Sequence, residues 1–241
     1  MFDAHKEITG IVGWIRDWFA NNGPEAKAVL GISGGKDSTI VAALLVKALG
    51  PDRVVGVLMP NGTQPDIADS YKVVELLGIN HTVVNIKDAY DGLIKQLHMP
   101  TDDTKINIPP RLRMATLYAV AQSLPMGGRV INTCNKSEDY VGYSTKFGDS
   151  VADCAPCAEY TVTEMLQIGD TLGLPKELIH KTPSDGLCGQ TDEDKLGFTY
   201  AELDEYIATG AIEDKDKQAK IIKLHKMNLH KLAPMPKYER S

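Results

Sequence analysis

Residues 30–45 read LGISGGKDSTIVAALL, a short apolar run, a small-residue turn and an apolar helical stretch. Two adjacent glycines cost conformational entropy in ordered backbone unless the turn itself has a task. Lys27 to Ile32 reads as a buried strand, and Asp37 to Leu49 as a helix stopped by Gly50-Pro51. A small-residue turn between a strand and a helix turns backbone N–H groups outward, and the helix N-terminus adds positive potential, which makes a phosphate cradle. Asp37 adds a carboxylate beside it, suited to holding Mg²⁺ against phosphates. The order Ser33-Gly34-Gly35-Lys36-Asp37-Ser38 is neither the Walker pattern, in which Ser or Thr follows the lysine, nor the dinucleotide fingerprint.

Outward from this turn, strands and helices alternate. Arg53 to Met59 and His81 to Ile86 read as strands. Pro65 to Leu77 and Ala89 to Leu97 read as helices. After a polar stretch, Arg111 to Leu124 is helical in pattern and Arg129 to Cys134 returns to strand. This alternation predicts an α/β fold, a doubly wound and mostly parallel sheet with helices on both faces. From Cys154 onward no strand is convincing, and Thr161 to Leu172, Thr199 to Ile207 and Lys215 to Met227 read as a helical C-terminal part. No linker divides the chain, so 1–241 is expected to be one domain. The 60–66, 100–108 and 184–196 stretches are polar or rich in Gly, Pro and Asp, and are expected to be mobile without ligand.

The chain has 241 residues, 43% of them hydrophobic, and a formal net charge of −6, ordinary for a globular protein and mildly unfavourable for nucleic-acid binding. No apolar run approaches membrane-spanning length. Ile8, Ile11, Val12, Ile15, Trp18 and Phe19 recur at helical spacing, a packed amphipathic helix rather than an anchor or signal. The four cysteines, Cys134, Cys154, Cys157 and Cys188, are too sparse for a secreted scaffold, so a cytoplasmic location is expected.

The Gly-rich turn resembles the pyrophosphatase loop of enzymes that split ATP into AMP and pyrophosphate. The segment NTCNKSEDYVGYSTKFGDSVAD (132–153), the segment PSDGLCGQTDEDKLGFTYAELDEYI (183–207), NIPPRLRM (107–114) and the late His230-Lys231 are similar, in order, to the ammonia-dependent NAD synthetases. That resemblance implies a homodimeric ligase that uses ATP to adenylate the nicotinate carboxylate of deamido-NAD⁺. Ammonia then displaces AMP. By the same resemblance Gly31, Ile32, Ser33, Gly34, Gly35, Lys36, Asp37 and Ser38, with Thr133 and Ser184, contact ATP. Asp37 and Glu138 are the catalytic pair that ligates Mg²⁺. Arg111, Lys146, Asp153, His230 and Lys231 contact deamido-NAD⁺. Neither nucleic acid nor membrane is implied as a partner, and the length leaves no room for a fused glutaminase, so free ammonia is the expected nitrogen donor, with a separate glutaminase partner as the alternative source.

The match breaks at Val162, which stands where many family members carry an ATP-contacting lysine. Lys36, where many relatives have an uncharged residue, is the candidate to supply the missing charge. Cys154-x-x-Cys157 leaves open a related activity, since SGGKDS is common in ATP-dependent tRNA thiolases; a core role for these cysteines is the plainer reading. A non-catalytic nucleotide-binding protein is a third reading, against which Asp37 and Glu138 stand. The run Asp192-Glu193-Asp194 reads as a solvated loop or helix start rather than a metal site.

Overall fold

The computed structural model of the protein describes residues 2–181 and 191–239. In chain order its elements are α1 (Ala4–Asn22), β1 (Lys27–Gly31), α2 (Lys36–Leu49), β2 (Val54–Leu58), α3 (Ile67–Leu77), β3 (Asn80–Val83), α4 (Lys87–Gln96), α5 (Asp102–Ser123), β4 (Gly128–Val130), α6 (Lys136–Val141), α7 (Val162–Thr171), α8 (Lys176–Ile179), α9 (Asp192–Leu196), α10 (Tyr200–Thr209) and α11 (Lys215–Leu232). All strand pairs are parallel, in the order β3-β2-β1-β4. The fold is the expected α/β class.

Strand periodicity separates two apolar layers. Ala28 and Leu30 of β1, with Val54 and Leu58 of β2, join the helices α1, α2 and α7 on one face. Val29, Val55 and Val57 point the other way, onto Met114, Leu117 and Ala121 of α5. Gly128 lets β4 approach α5, since a Cβ there would sit 2.9 Å from the Ala121 Cα. A third apolar cluster, built on Val141, Val162, Leu196, Phe198, Leu203 and Ile221, joins α6 to the C-terminal helices. Among the described residues no helix is long and apolar enough to cross a membrane.

Three sequence expectations need correction. The helix expected from Arg111 begins nine residues earlier, at Asp102, so most of the 100–108 stretch is helical. Pro109 and Pro110 lie inside it. Proline lacks an N–H and usually ends a helix, which is why the sequence pattern hides this start. The helix nonetheless starts on a Thr101 cap, whose side chain accepts from the Thr104 N–H, and buries Ile108, Met114, Leu117 and Ala121. The strand expected through Cys134 stops at Val130; Ile131 still donates to the Val29 carbonyl, but the chain then turns to pair with Cys154, and the Asn132 N–H goes to the Cys154 carbonyl. The strand expected over His81 to Ile86 is Asn80–Val83.

The strand order decides where the chemistry falls. The chain moves from β1 outward to β3, then returns to lay β4 on the other side of β1. In a parallel sheet, such a reversal opens a crevice at the carboxyl ends of the two strands. The Gly-rich turn follows β1 and the 131–135 segment follows β4, so the two flank that crevice.

Candidate active site

The turn after β1 is held by its own small side chains. Ser38 Oγ lies 3.0 Å from Ser33 Oγ and donates to the Gly35 carbonyl, which also accepts the Thr39 hydroxyl at 2.7 Å. Gly34 has φ +80°, and a Cβ there would come within 2.9 Å of Asp69 and the Ser70 nitrogen on α3. Gly35 caps α2 without any side-chain hydrogen bond, so the first N–H groups of that helix remain for a ligand. Ile32 is buried, and its N–H is taken by the Val57 carbonyl.

Asp37 lies in the first turn of α2 and Glu138 in the first turn of α6. Asn135 joins them. Its Oδ1 accepts the Glu138 N–H at 3.0 Å as the α6 cap, while its Nδ2 donates to Asp37 Oδ1 at 3.2 Å. The Lys36 ammonium sits 2.9 Å from Asp37 Oδ2 and 3.6 Å from Glu138 Oε1, with its side chain 7% exposed. Burial, and then the Asp37 charge, push Glu138 well above the usual carboxylate range against the pull of Lys36. Burial acts to lower Lys36, but Asp37 and Glu138 outweigh it and hold the lysine charged. Tyr200 walls the same space, its ring 5.5 Å from the Lys36 ammonium. Among the described residues no three His, Cys, Asp or Glu side chains are grouped to hold a metal. Two carboxylates can hold a hard cation whose other ligands are water and phosphate oxygens.

A second group of predicted residues gathers around 142–147. Arg111 donates from Nε to the Lys146 carbonyl, and the Lys146 ammonium donates to the His230 carbonyl at 2.5 Å. Lys231 donates to the Gly142 and Ser144 carbonyls. Arg113, two residues from Arg111, instead turns inward to the Met59 carbonyl. Phe147, exposed beside Lys146, holds a left-handed backbone with φ 61°, rare for an aromatic residue. Asp153 stands apart: its carboxylate accepts the Val130 N–H at 2.7 Å and the Tyr118 hydroxyl at 3.1 Å. Thr133 lies on the segment after β4, between Asn132 and Cys134. Ser184 and Cys188 lie outside the described residues.

Four contributors were missed from sequence. Asn135 was signalled only by the cap spacing of Asn-x-x-Glu before α6. Asp204, buried on α10, accepts the Ser137 hydroxyl at 2.5 Å and both the N–H and hydroxyl of Thr163; Ser137 in turn accepts the Val162 N–H. This network fixes α6, and so Glu138, to α7 and α10. Asp192 starts α9 as expected, but its carboxylate accepts the Tyr143 hydroxyl rather than being merely solvated. Tyr200 lies in the mixed run GFTYAEL (197–203), where no local pattern marks its ring for the pocket. Val162 is a core residue, 6% exposed.

A parallel sheet with a phosphate-type turn and an acidic pair across its switch point defines a nucleotide-binding α/β enzyme of the adenylating kind. The NAD synthase family model matches residues 7–238. The NH₃-dependent NAD⁺ synthetase of Pyrococcus horikoshii is 43% identical over 209 residues, 86% of this chain and 79% of that protein. The structure of NMN synthetase from Francisella tularensis superposes with a TM-score of 0.89 at 34% identity, covering 99% of this chain and all of that one. NH₃-dependent NAD synthetase from Campylobacter jejuni gives 0.81 at 26% identity, with both chains fully covered. The chain belongs to the NAD synthase family and is a ligase that uses ATP.

Proposed function

We propose that this chain converts deamido-NAD⁺ to NAD⁺ with free ammonia, the donor named for its Pyrococcus relative. The nicotinate carboxylate oxygen attacks the α-phosphorus of ATP and pyrophosphate leaves. Ammonia then attacks the acyl carbon, AMP leaves, and one proton is released. The observation that carries this reading is the joining of Asp37 and Glu138 through Asn135 beside the Gly-rich turn. A carboxylate cannot expel oxide, so its activation needs polyphosphate held in line with it, and this turn supplies the cradle.

The roles follow from position. Gly31 to Ser38, with Thr133 and Ser184, bind ATP. Asp37 and Glu138 hold Mg²⁺, which when bound neutralises the phosphates. Arg111, Lys146, Asp153, His230 and Lys231 bind the dinucleotide, with the arginine and lysine cations for its phosphates and carboxylate. The residues 1–241 work as one domain. A homodimer in the cytoplasm completes the reading, and the exposed Leu93 of α4, Leu97 and Met99 after it and Ile106 in the first turns of α5 support a second copy as partner.

The Francisella likeness supports a second substrate, the mononucleotide counterpart that yields NMN. Chromatography of reactions containing ATP, Mg²⁺ and either deamido-NAD⁺ or nicotinate mononucleotide, each with ammonium or with glutamine alone, separates the readings. NAD⁺, AMP and pyrophosphate only with ammonium support the first. A higher kcat/KM for the mononucleotide would replace it with the second. AMP with neither amide would overturn both.

A further inference from the structure

We propose that Lys36 is an internal counter-cation of the Asp37–Glu138 pair, which keeps free divalent metal out until nucleotide arrives. The proposal rests on the metal-ligand reading above.

A lysine at the first position of a 14-residue helix faces the positive end of the dipole, the wrong end for a cation. Its side chain is also nearly fully buried, which is costly for an ammonium unless it is paired. Both penalties are met by acidic groups converging from three elements. Asp37 on α2 lies at 2.9 Å and Glu138 on α6 at 3.6 Å, and Asp192 on α9 adds attraction from further off. Tyr200 on α10 closes the space with its ring face. Its buried hydroxyl has no hydrogen-bond partner among the described residues, a polar group left for whatever else enters this pocket.

The ammonium therefore offsets, in the nucleotide-free protein, the carboxylate charge that would draw a metal ion to Asp37 and Glu138. A divalent ion approaching the nucleotide-free pair meets carboxylates that already face a buried cation, with the ammonium in direct contact with Asp37. ATP changes both terms. Its polyphosphate brings oxygen ligands for the metal, and it gives Lys36 new anionic partners at the same helix end. Metal and nucleotide binding are thus positively coupled, and the coupling runs through this one side chain.

Mn²⁺ binding measured by electron paramagnetic resonance on the intact protein tests this, with wild type, Lys36→Met and Lys36→Arg, each with and without α,β-methylene-ATP. Without nucleotide, Lys36→Met should bind Mn²⁺ about tenfold more tightly than wild type, within the usual span of coupling between sites. Lys36→Arg should stay as weak as wild type. The analogue should tighten Mn²⁺ strongly in wild type and far less in Lys36→Met. Equal nucleotide-free affinities in wild type and Lys36→Met overturn the counter-cation alone, provided that the analogue still promotes Mn²⁺ binding. No Mn²⁺ binding in any protein, even with the analogue, overturns the metal-ligand reading and this proposal together. Should Lys36→Met fail to fold by circular dichroism, Lys36→Gln removes the same charge with a polar side chain and carries the same expectation.

Discussion

Asn135 shows how much one uncharged side chain can organise. Its amide caps α6 through the Glu138 N–H and reaches Asp37 across the crevice. Asn135→Ala should therefore lower stability by about 1 kcal/mol, the usual cost of a lost cap, and lower kcat about tenfold or more because both carboxylates lose their orientation. Chemical denaturation and steady-state AMP release check the two parts. Glu138→Gln should keep the fold yet lower kcat by about 100-fold, as expected when a group that stabilises developing charge is neutralised. Retained turnover would remove Glu138 from the reaction. The cysteines give the opposite kind of prediction. Burial, then the nearby Asp153, push the Cys154 thiol up to about 12, and burial also raises Cys134 and Cys157. Thiolates are the reactive form. Peptide mass spectrometry should find Cys154 and Cys157 unmodified by iodoacetamide in native protein at pH 8, and Cys154→Ser should keep full activity. That expectation favours the core reading of Cys-x-x-Cys over sulfur transfer, in line with the family.

At the scale of elements, the strand–turn–helix at 27–49 was legible because every local signal agrees: an apolar strand, two glycines, a helical apolar period and a Gly-Pro stop. Short α6 was not, since six residues carry too little periodicity, and Glu138 was reached through resemblance rather than pattern. The start of α5 was masked by Pro109-Pro110. Asp204 was illegible for a different reason. Its role comes from Ser137, 67 positions away, and no local pattern reports such a contact. Asp204→Ala would leave the Ser137 hydroxyl and the Thr163 N–H and hydroxyl without their buried acceptor. A loss of about 3 kcal/mol is expected, the range for a broken buried polar network. Urea denaturation checks it, and a loss below about 1 kcal/mol would mean that the network does not hold α6 in place. The pairing of α6 with α11 can be probed separately. Gly142 ends α6 at φ +65°, and a Cβ there would lie 2.1 Å from the Asn228 Cβ.

Across the whole molecule the crevice has two walls of different origin. The wall proposed for ATP is built on the sheet, by the loops after β1 and β4, and its order was set by strand topology. The other wall gathers Arg111 of α5, Lys146 and the end of α11, parts far apart in sequence. The helix expected over Lys215 to Met227 runs on to Leu232, so the late His230-Lys231 pair lies on the docked α11. Lys231 takes part in that docking beside His225 and Asn228, its ammonium donating to both the Gly142 and Ser144 carbonyls. Burial lowers its pKa, with Asp149 opposing, so the charge sits in partly dry surroundings, where it would act strongly on an anionic ligand in the proposed role. If the two walls serve separate ligands, a change in one should divide the kinetics. Lys231→Met should raise KM for deamido-NAD⁺ about tenfold or more while KM for ATP changes less than about twofold, the pattern of lost ground-state binding to one substrate. Initial rates with each substrate varied at saturating levels of the other make the measurement. Equal rises in both KM values would mean that α11 supports the fold of the whole crevice rather than one ligand. A rise confined to ATP would exchange the two walls.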